Sequence, residues 1–166
     1  MNEIKKQQGS DEDFNIQERL AFRITTLSTI ISNGAGRTYL DKCGVTRTEW
    51  RVMLMLMSIG PCSARRICDV TKMDKGNVSR AVKRLLADGR LGEKPDPNDG
   101  RSAILRITPK GRLIYKKVKA FSDIREAALS KAFAAEERRV YCALSGKLQA
   151  VGEKLLLDLD REDGEP

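Results

Sequence analysis

The sequence predicts a mainly α-helical fold with one small β-hairpin, and three observations lead to that fold class. Apolar residues recur every three or four positions near both ends of the chain, which is the spacing of one helix face. Between these regions, capping residues precede short segments with helical patterns. A turn-forming Asn-Asp-Gly run then separates two segments with strand composition.

Length and composition indicate one soluble domain in the cytoplasm, with no membrane contact. The chain has 166 residues, of which 40% are hydrophobic and 33% are charged. It is therefore too apolar for a disordered chain and too charged for a membrane protein. Its longest uncharged segments, residues 24–36 and 52–64, are shorter than the ~18 residues needed to cross a bilayer. Residues 1–13 lack the apolar core of a signal peptide, and we expect a flexible polar arm there.

The residue types argue against an enzyme. The chain contains no His, which excludes His-dependent nucleophilic catalysis and His-ligated zinc. Its four Cys lack the Cys-x-x-Cys spacing of a metal or redox motif, and no P-loop or dinucleotide fingerprint is present. We therefore expect no enzyme, no metal, no cofactor, and buried structural thiols. The alternative is a peroxide-sensing thiol, for which Cys43 in a predicted loop is the best candidate.

Positive charge is concentrated in the middle of the chain. The formal net charge is +8, yet residues 61–120 alone contain 16 basic and 6 acidic side chains. A basic segment between near-neutral segments suggests a module that binds a polyanion and is carried by a neutral scaffold. A solvated basic surface is the alternative that charge alone leaves open.

A long amphipathic helix is predicted for residues 14–39. Gly34 and Gly36 are expected to weaken its end, and Gly44 lies in the loop that follows. The residues that form its apolar stripe are Ile16, Leu20, Ile24, Leu27 and Ile31.

A buried helix is predicted next. Residues 46–49, Thr-Arg-Thr-Glu, fit a capping box, in which the Thr46 and Glu49 side chains each satisfy an orphan backbone N–H. The segment 50–59 is apolar nearly all round, so we expect this helix to be buried. Gly60-Pro61 ends it.

Two short helices joined by a tight turn follow. Ser63 can cap a helix over residues 64–70, and Asp74 can cap a second helix over residues 75–88, with Gly89 as its stop. The connection, residues 71–73, is short. This arrangement is a helix-turn-helix.

The second of these helices is strongly amphipathic. Its inner face carries Val78, Val82, Leu85 and Leu86. Its outer face carries cations and short hydrogen-bonding groups, which suit phosphates and base edges. An ordinary surface helix is the alternative. The polar residues on or beside the outer face are Asn77, Arg80, Lys83, Arg84, Lys75 and Ser79.

A β-hairpin follows directly. Residues 90–97 and 101–108 have strand composition, and residues 98–100, Asn-Asp-Gly, form the turn. A β-hairpin after a helix-turn-helix is a wing, so the sequence predicts a winged helix-turn-helix. Arg101 at the tip could enter a minor groove, where the negative potential is strong. We expect Asp99 to tie the hairpin together or to orient Arg101.

Two further helices complete the chain. Thr108-Pro109 is a strong start signal for a helix that runs to about residue 129, and a last helix covers about residues 135–157. Residues 158–166 are an acidic tail that we expect to fray. The apolar stripe of the last helix is formed by Val140, Leu144, Leu148, Val151 and Leu155.

Several motifs resemble the MarR family of bacterial transcription regulators. Residues 96–102, Asp-Pro-Asn-Asp-Gly-Arg-Ser, and 105–111, Leu-Arg-Ile-Thr-Pro-Lys-Gly, are similar to the wing signature of that family. Residues 78–80, Val-Ser-Arg, and 85–89, Leu-Leu-Ala-Asp-Gly, resemble its recognition helix and the exit from it. Residues 50–54, Trp-Arg-Val-Met-Leu, resemble the start of its second helix.

The resemblance covers about residues 14–157 and includes one departure. Residues 90–94, Arg-Leu-Gly-Glu-Lys, stand where the family more usually has Gly-Leu-Val/Ile-x-Arg. The oxidation-sensing branch of the family carries its reactive Cys in the first helix. No Cys lies between residues 14 and 39, so the resemblance does not favour a redox sensor.

The resemblance implies a winged helix-turn-helix that forms an obligate homodimer through interlocked N- and C-terminal helices. Burial would stabilise such a dimer by roughly 1.5–3 kcal/mol per aliphatic side chain before entropy costs. A single chain that buries its two stripes against each other is the alternative. The implied organisation is an arm at 1–13, a dimerisation helix at 14–45, a winged DNA-binding lobe at 46–109, C-terminal dimerisation helices at 110–157 and the tail at 158–166.

The function implied is that of a sequence-specific DNA-binding regulator, by family habit a repressor, that binds a palindromic operator. Two recognition helices would lie about 34 Å apart, one turn of DNA. A DNA-binding protein without a small-molecule sensor, architectural or controlled by a partner, is the alternative. The residues expected to read bases are Asn77, Ser79, Arg80 and Lys83, with Arg101 in the minor groove. The residues expected to hold phosphates are Ser63, Arg65, Arg66, Lys75 and Arg84.

A small-molecule effector is also implied, because the family often binds small anions, frequently aromatic or acyl, that release the DNA. Trp50, Met53 and Met57 fall on one face of the second helix, and both residue types suit a flat apolar ligand. With Arg23 of the first helix they could line an aromatic-anion pocket. Plain core packing is the alternative. Such a ligand shifts the equilibrium between the DNA-binding and DNA-incompetent conformations only by the difference in its affinity for them.

Overall fold

The computed structural model describes residues 15–162 and contains a mainly helical fold with a small sheet. The predicted winged helix-turn-helix is therefore confirmed. The expected flexible arm and residues 163–166 of the expected acidic tail lie outside the described residues. The elements in chain order are α1 (Leu20–Cys43), α2 (Arg47–Ser58), β1 (Cys62–Ser63), α3 (Ala64–Thr71), α4 (Lys75–Ala87), β2 (Leu91–Asp96), β3 (Asp99–Ile107), α5 (Pro109–Ser130) and α6 (Ala135–Glu162).

The chain divides into two units after Lys119. The first unit contains α1 to α4, the sheet and the first half of α5, and the second contains the rest of α5 and α6. The finer division drawn from the sequence stays a prediction. Across residues 15–162, no helix is both long enough and apolar enough to span a bilayer.

The first long helix begins later than the sequence predicted. Asn15 caps a single 3₁₀ turn, Ile16–Glu18, by accepting a backbone hydrogen bond. Arg19 is extended, so α1 begins at Leu20 rather than at residue 14. The apolar spacing continues across this break, which is why periodicity alone could not locate it.

α1 also ends later than predicted, at Cys43. It passes through Gly34 and Gly36, which were expected to weaken it. Gly36 lies against Arg47, where a Cβ would be 3.1 Å from the Arg47 side chain, so this glycine permits a close contact. The helix ends where Gly44 adopts φ +60°, a C-cap conformation that favours glycine.

α2 has the predicted capping box. The Thr46 side chain accepts a hydrogen bond from the Glu49 N–H at 3.3 Å, and the Glu49 carboxylate accepts one from the Thr46 N–H at 2.8 Å. The expectation of all-round burial is wrong, because Leu54 and Ile59 are exposed at 36% and 45%. α2 therefore packs by one face only. The apolar side chains on that face are Trp50, Val52, Met53 and Leu56.

α3 and α4 form the helix-turn-helix at the predicted place. The Ser63 hydroxyl accepts a hydrogen bond from the Arg66 N–H at 3.2 Å, and the Asp74 carboxylate accepts one from the Asn77 N–H at 2.8 Å. Both predicted caps are therefore confirmed. α3 extends one residue further than expected, and Lys72, with φ +55°, starts the turn.

The three strands form an antiparallel sheet in the order β1-β3-β2. The predicted hairpin is present, with Leu91 opposite Ile107 at the base and Asp96 opposite Asp99 at the tip. The predicted turn at residues 98–100 is wrong by one residue, because β3 begins at Asp99 and the turn is Pro97-Asn98. The sequence analysis missed β1, which pairs with β3. A strand of two residues is too short to show alternation.

The start of α5 packs directly on the chain that leaves α4. The Thr108 hydroxyl accepts a hydrogen bond from the Gly111 N–H at 3.0 Å, which confirms the predicted cap. The Thr108 N–H donates to the Arg90 carbonyl at 3.1 Å. Gly111 is buried, and a Cβ there would lie 2.8 Å from Ile107 Cγ1 and still closer to the Arg90 carbonyl oxygen. Only glycine fits at this position.

α6 is longer than predicted, because it continues to Glu162 rather than ending near residue 157. The expectation of a frayed tail is therefore wrong for residues 158–162. No Gly or Pro occurs between Gly152 and Gly164, so no local breaker stops the helix within this segment.

Replacing Gly111 with Ala is expected to destabilise the protein by about 1–3 kcal/mol or more, because the methyl group would collide with the Arg90 backbone. Urea denaturation measures this loss. Gly146→Ala is the matched control, since Gly146 has open space around its Cβ and lies opposite the apolar stripe of α6. That variant should gain up to ~1 kcal/mol from helix propensity. Equal stability of the two variants would contradict the proposed close packing.

Candidate nucleic-acid interface

α4 separates a buried apolar face from an exposed polar face, as the sequence predicted. The buried side chains are Val78, Ala81, Val82 and Leu85. Leu86, expected on the inner face, is half-buried. The polar face therefore remains open to a ligand along the length of the helix. The exposed polar side chains are Lys75, Asn77, Ser79, Arg80, Lys83 and Arg84.

The first turns of α4 hold Arg80 in a defined position. Arg80 Nη2 donates a hydrogen bond to Asn77 Oδ1 at 2.6 Å. Gly76 lies beside the guanidinium, and a Cβ there would be 3.5 Å from Arg80 Nη1. The guanidinium therefore lies over the N-terminal end of α4. In helix-turn-helix proteins this end of the recognition helix contacts base edges.

The start of α3 adds two exposed cations, Arg65 and Arg66. The oxygen of the Ser63 hydroxyl is occupied as the N-cap acceptor, while its O–H can still donate to a phosphate. A helix N-terminus beside two guanidinium groups favours an anion. The three residues are thus brought together as the sequence analysis expected.

Arg84 differs from the other exposed cations of α4. Its Nε pairs with Glu49 Oε1 at 3.2 Å. The Glu49 side chain is only 2% exposed and lies at the start of α2. The sequence analysis expected a phosphate contact for Arg84. Local patterns could not reveal this pair, because the two residues lie on different helices.

The wing presents Arg101 beyond a tied turn. Asp96 Oδ1 accepts a hydrogen bond from the Asn98 N–H at 2.9 Å, and Asp99 Oδ1 accepts one from the Arg101 N–H at 3.0 Å. Asp99 was expected either to tie the hairpin together or to orient Arg101. The bond joins two residues of β3 and fixes the backbone at Arg101, so it fits the second role. The Arg101 side chain is exposed and can reach out from the tip.

The four residues that were expected to line a ligand pocket differ in exposure. Trp50 and Met53 are 5% and 0% exposed, and the Trp50 ring stacks on Tyr115 with centroids 5.1 Å apart. Arg23 is exposed on α1, and Met57 is half-buried. Of these residues, Met57 borders a cavity, whereas Trp50 and Met53 are packed in the core.

That cavity has a volume of about 610 Å³ and lies between the end of α2, the base of the wing and the first turn of α5. Its two cations are Arg106 and Arg112, and no carboxylate lines it. Arg112 Nη1 donates to Met57 Sδ at 3.5 Å, which is a weak acceptor. The sequence analysis missed both arginines, since the cavity forms where residues 106–112 meet the end of α2, which is distant in sequence. The apolar side chains of its wall are Leu56, Met57, Pro61, Ile107 and Pro109.

All four thiols are free, and none is fully buried, so the expectation of buried structural thiols is wrong. Cys142 is exposed, and Cys43 lies in the last turn of α1 rather than in a loop. Burial raises the pKa of both the Cys62 and the Cys68 thiol. A raised pKa leaves less reactive thiolate at neutral pH. Within the described part of the chain, no group of three or more His, Cys, Asp and Glu is placed to hold a metal.

Sequence comparison relates the helix-turn-helix and wing to known regulators. A family model described as the MarR family matches residues 44–102. The multiple antibiotic resistance protein MarR of Salmonella typhimurium is 30% identical over 79 residues, which are 48% of this chain and 55% of that protein. The regulator BilQ of Clostridium symbiosum is 30% identical over 84 residues, 50% of this chain and 58% of that protein. The chain thus spans little more than half the length of these curated relatives.

Structural similarity extends further along the chain. The crystal structure of a MarR/EmrR family transcriptional regulator from Acinetobacter sp. ADP1 matches with a TM-score of 0.78 and 28% sequence identity. The match covers 85% of this chain and 99% of that chain. It therefore includes helices outside the region that the family model matches.

Proposed function

We propose that the chain is a sequence-specific DNA-binding transcriptional regulator of the MarR family. In this proposal it is a cytoplasmic repressor that binds a palindromic operator as a homodimer and releases it when a small anion binds. One observation carries the proposal: α4 presents an exposed polar face in the same unit as a wing tipped by Arg101. The curated and structural relatives, named as transcriptional regulators, support it.

Different parts of this surface suit the base edges and the phosphates of DNA. Asn77, Ser79, Arg80 and Lys83 occupy the exposed face of α4, which fits a major groove. Arg65 and Arg66 at the start of α3 suit phosphates, with Ser63 and Lys75 beside them. Since each phosphate contact releases counterions, the binding constant should fall steeply with salt, by about 0.9 logarithmic units per contact.

Exposed apolar stripes on the terminal helices support the homodimer. On α6, Leu144, Val151 and Leu155 are 52%, 57% and 60% exposed in the single chain. On the N-terminal side, Leu20 and Ile24 are 64% and 46% exposed. Such stripes are unfavourable in water, and a second copy of the chain would bury them. A two-fold dimer also presents two copies of α4 to a palindrome.

The cavity beside Arg106 and Arg112 supports the proposed effector. Its volume lies within the range of small-molecule sites, roughly 300–1,000 Å³. Guanidinium groups above an apolar wall suit a carboxylate with an aromatic or acyl body. The cavity borders the base of the wing, so a ligand that prefers one wing position would change the affinity for DNA.

In vitro selection from random duplexes tests the proposed function, and an inverted repeat is the expected product. On that operator, Arg101→Ala should weaken binding by about 1–3 kcal/mol without unfolding the protein. Fluorescence anisotropy measures the affinity, and Lys131→Ala, which removes an exposed cation beyond α5, is the control. Unchanged affinity of the Arg101 variant would show that the wing tip does not contribute to operator binding. Uniform coating of all duplexes would favour an architectural protein instead.

Leu144→Glu is expected to convert the dimer to a monomer. Two copies of the leucine are lost from a two-fold interface, at a cost of roughly 3 kcal/mol or more per dimer. Sedimentation velocity measures the change. Arg138→Glu introduces the same side chain away from the stripe and should leave the dimer intact. A wild-type protein that sediments as a monomer would refute the homodimer.

Arg112→Ala is expected to weaken effector binding about tenfold or more, because a charge-assisted hydrogen bond is lost. A thermal-shift screen of aromatic carboxylates and acyl thioesters identifies the ligand, and isothermal titration measures the affinity. Lys110→Ala removes a neighbouring exposed cation that does not line the cavity, and this variant should bind normally. A library in which no compound stabilises the protein or releases DNA would exclude the sensor.

A further inference from the structure

The capping role of Glu49 explains the position of only one of its two carboxylate oxygens. It is the one charged residue that is buried in the described part of the chain, at 2% exposure. A carboxylate removed from water is strongly destabilising unless its oxygens are paired. The capping box satisfies one oxygen, because Oε2 accepts the Thr46 N–H at 2.8 Å.

The second oxygen is satisfied from another helix. Arg84 Nε lies 3.2 Å from Glu49 Oε1, although the Arg84 side chain is 60% exposed. The two oxygens of Glu49 therefore bind the first turn of α2 and the third turn of α4. Because one partner is buried and hydrogen-bonded, this pair is not an ordinary surface salt bridge, whose contribution is small.

We propose that Arg84 is a positioning residue: it fixes the recognition helix α4 to the start of α2 through Glu49, and it does not bind a DNA phosphate. This inference rests on the proposed DNA-binding function. Lys75 is exposed at the start of the same helix, and the proposed function places it beside a phosphate. Two cations on one helix thus have different roles, one facing the nucleic acid and one facing the fold.

The salt dependence of DNA binding distinguishes a phosphate-binding cation from a positioning cation. A cation that binds a phosphate releases counterions, so its removal lowers the slope of log K against log salt by about 0.9. A cation that positions the helix leaves that slope unchanged, and its removal lowers affinity by a similar factor at every salt concentration and on every sequence. Removal of the positioning cation also lowers the stability of the protein without DNA, because Glu49 is left buried without its partner.

The experiment compares Arg84→Gln with Lys75→Gln on one operator at several salt concentrations. We expect Arg84→Gln to bind about tenfold more weakly with an unchanged slope and to melt at a lower temperature. We expect Lys75→Gln to melt normally and to reduce the slope by about 0.9. Arg84→Lys keeps a cation within reach of Glu49 and should recover part of the lost melting temperature. A slope loss in Arg84→Gln with normal melting would overturn the proposal.

A double-mutant cycle in the free protein completes the test. Glu49→Gln keeps an acceptor for the Thr46 N–H and removes the charge. Arg84→Gln should then lower the melting temperature less in the Glu49→Gln background than in the native one. Additive effects would overturn the proposal. If the unaltered protein ignores duplex DNA, the proposed function fails, whereas the coupling of Glu49 and Arg84 is still decided by this cycle.

Discussion

Arg90 connects the ends of four elements, and the placement of the recognition helix depends on it. Its N–H donates to the Leu85 carbonyl of α4 at 2.8 Å, and its carbonyl accepts the Thr108 N–H ahead of α5 at 3.1 Å. Its guanidinium donates to the Gly44 carbonyl after α1 at 2.8 Å. Because Gly111 has no side chain, α5 rests directly on this backbone. α4, the wing and α5 are therefore held as one assembly.

Residues 90–94, which depart from the usual MarR-family pattern, have a structural explanation. Arg90 supplies the junction just described. Gly92 lies opposite Arg106 in the sheet, and a Cβ at position 92 would be 3.4 Å from Arg106 Nε. The glycine thus gives the arginine room to lie across β2 while it borders the cavity. Arg90 and Gly92 differ from the residues usual at these positions, but each is compatible with the contacts that surround it.

The sequence predicted the parts of the fold that local chemistry determines. The caps at Thr46, Ser63, Asp74 and Thr108 were correct, because a cap depends on residues within one helical turn. The polar face of α4 followed from periodicity. The strand β1, the Glu49 pair and the cavity did not follow, since each joins segments far apart in sequence. Trp50 shows the same limit: it stood on the expected face of α2, but its stacking partner belongs to α5.

α2 spans two regions of the first unit. It is a rod of 12 residues, about 18 Å long. One end carries Glu49, and the other carries Met57 at the cavity wall. These residues are about 12 Å apart along the axis, so a tilt of α2 by about 10° about one of them would displace the other by about 2 Å. Hydrogen bonds tolerate only a few tenths of an ångström, so the pair of Glu49 and Arg84 would not survive a tilt of that size.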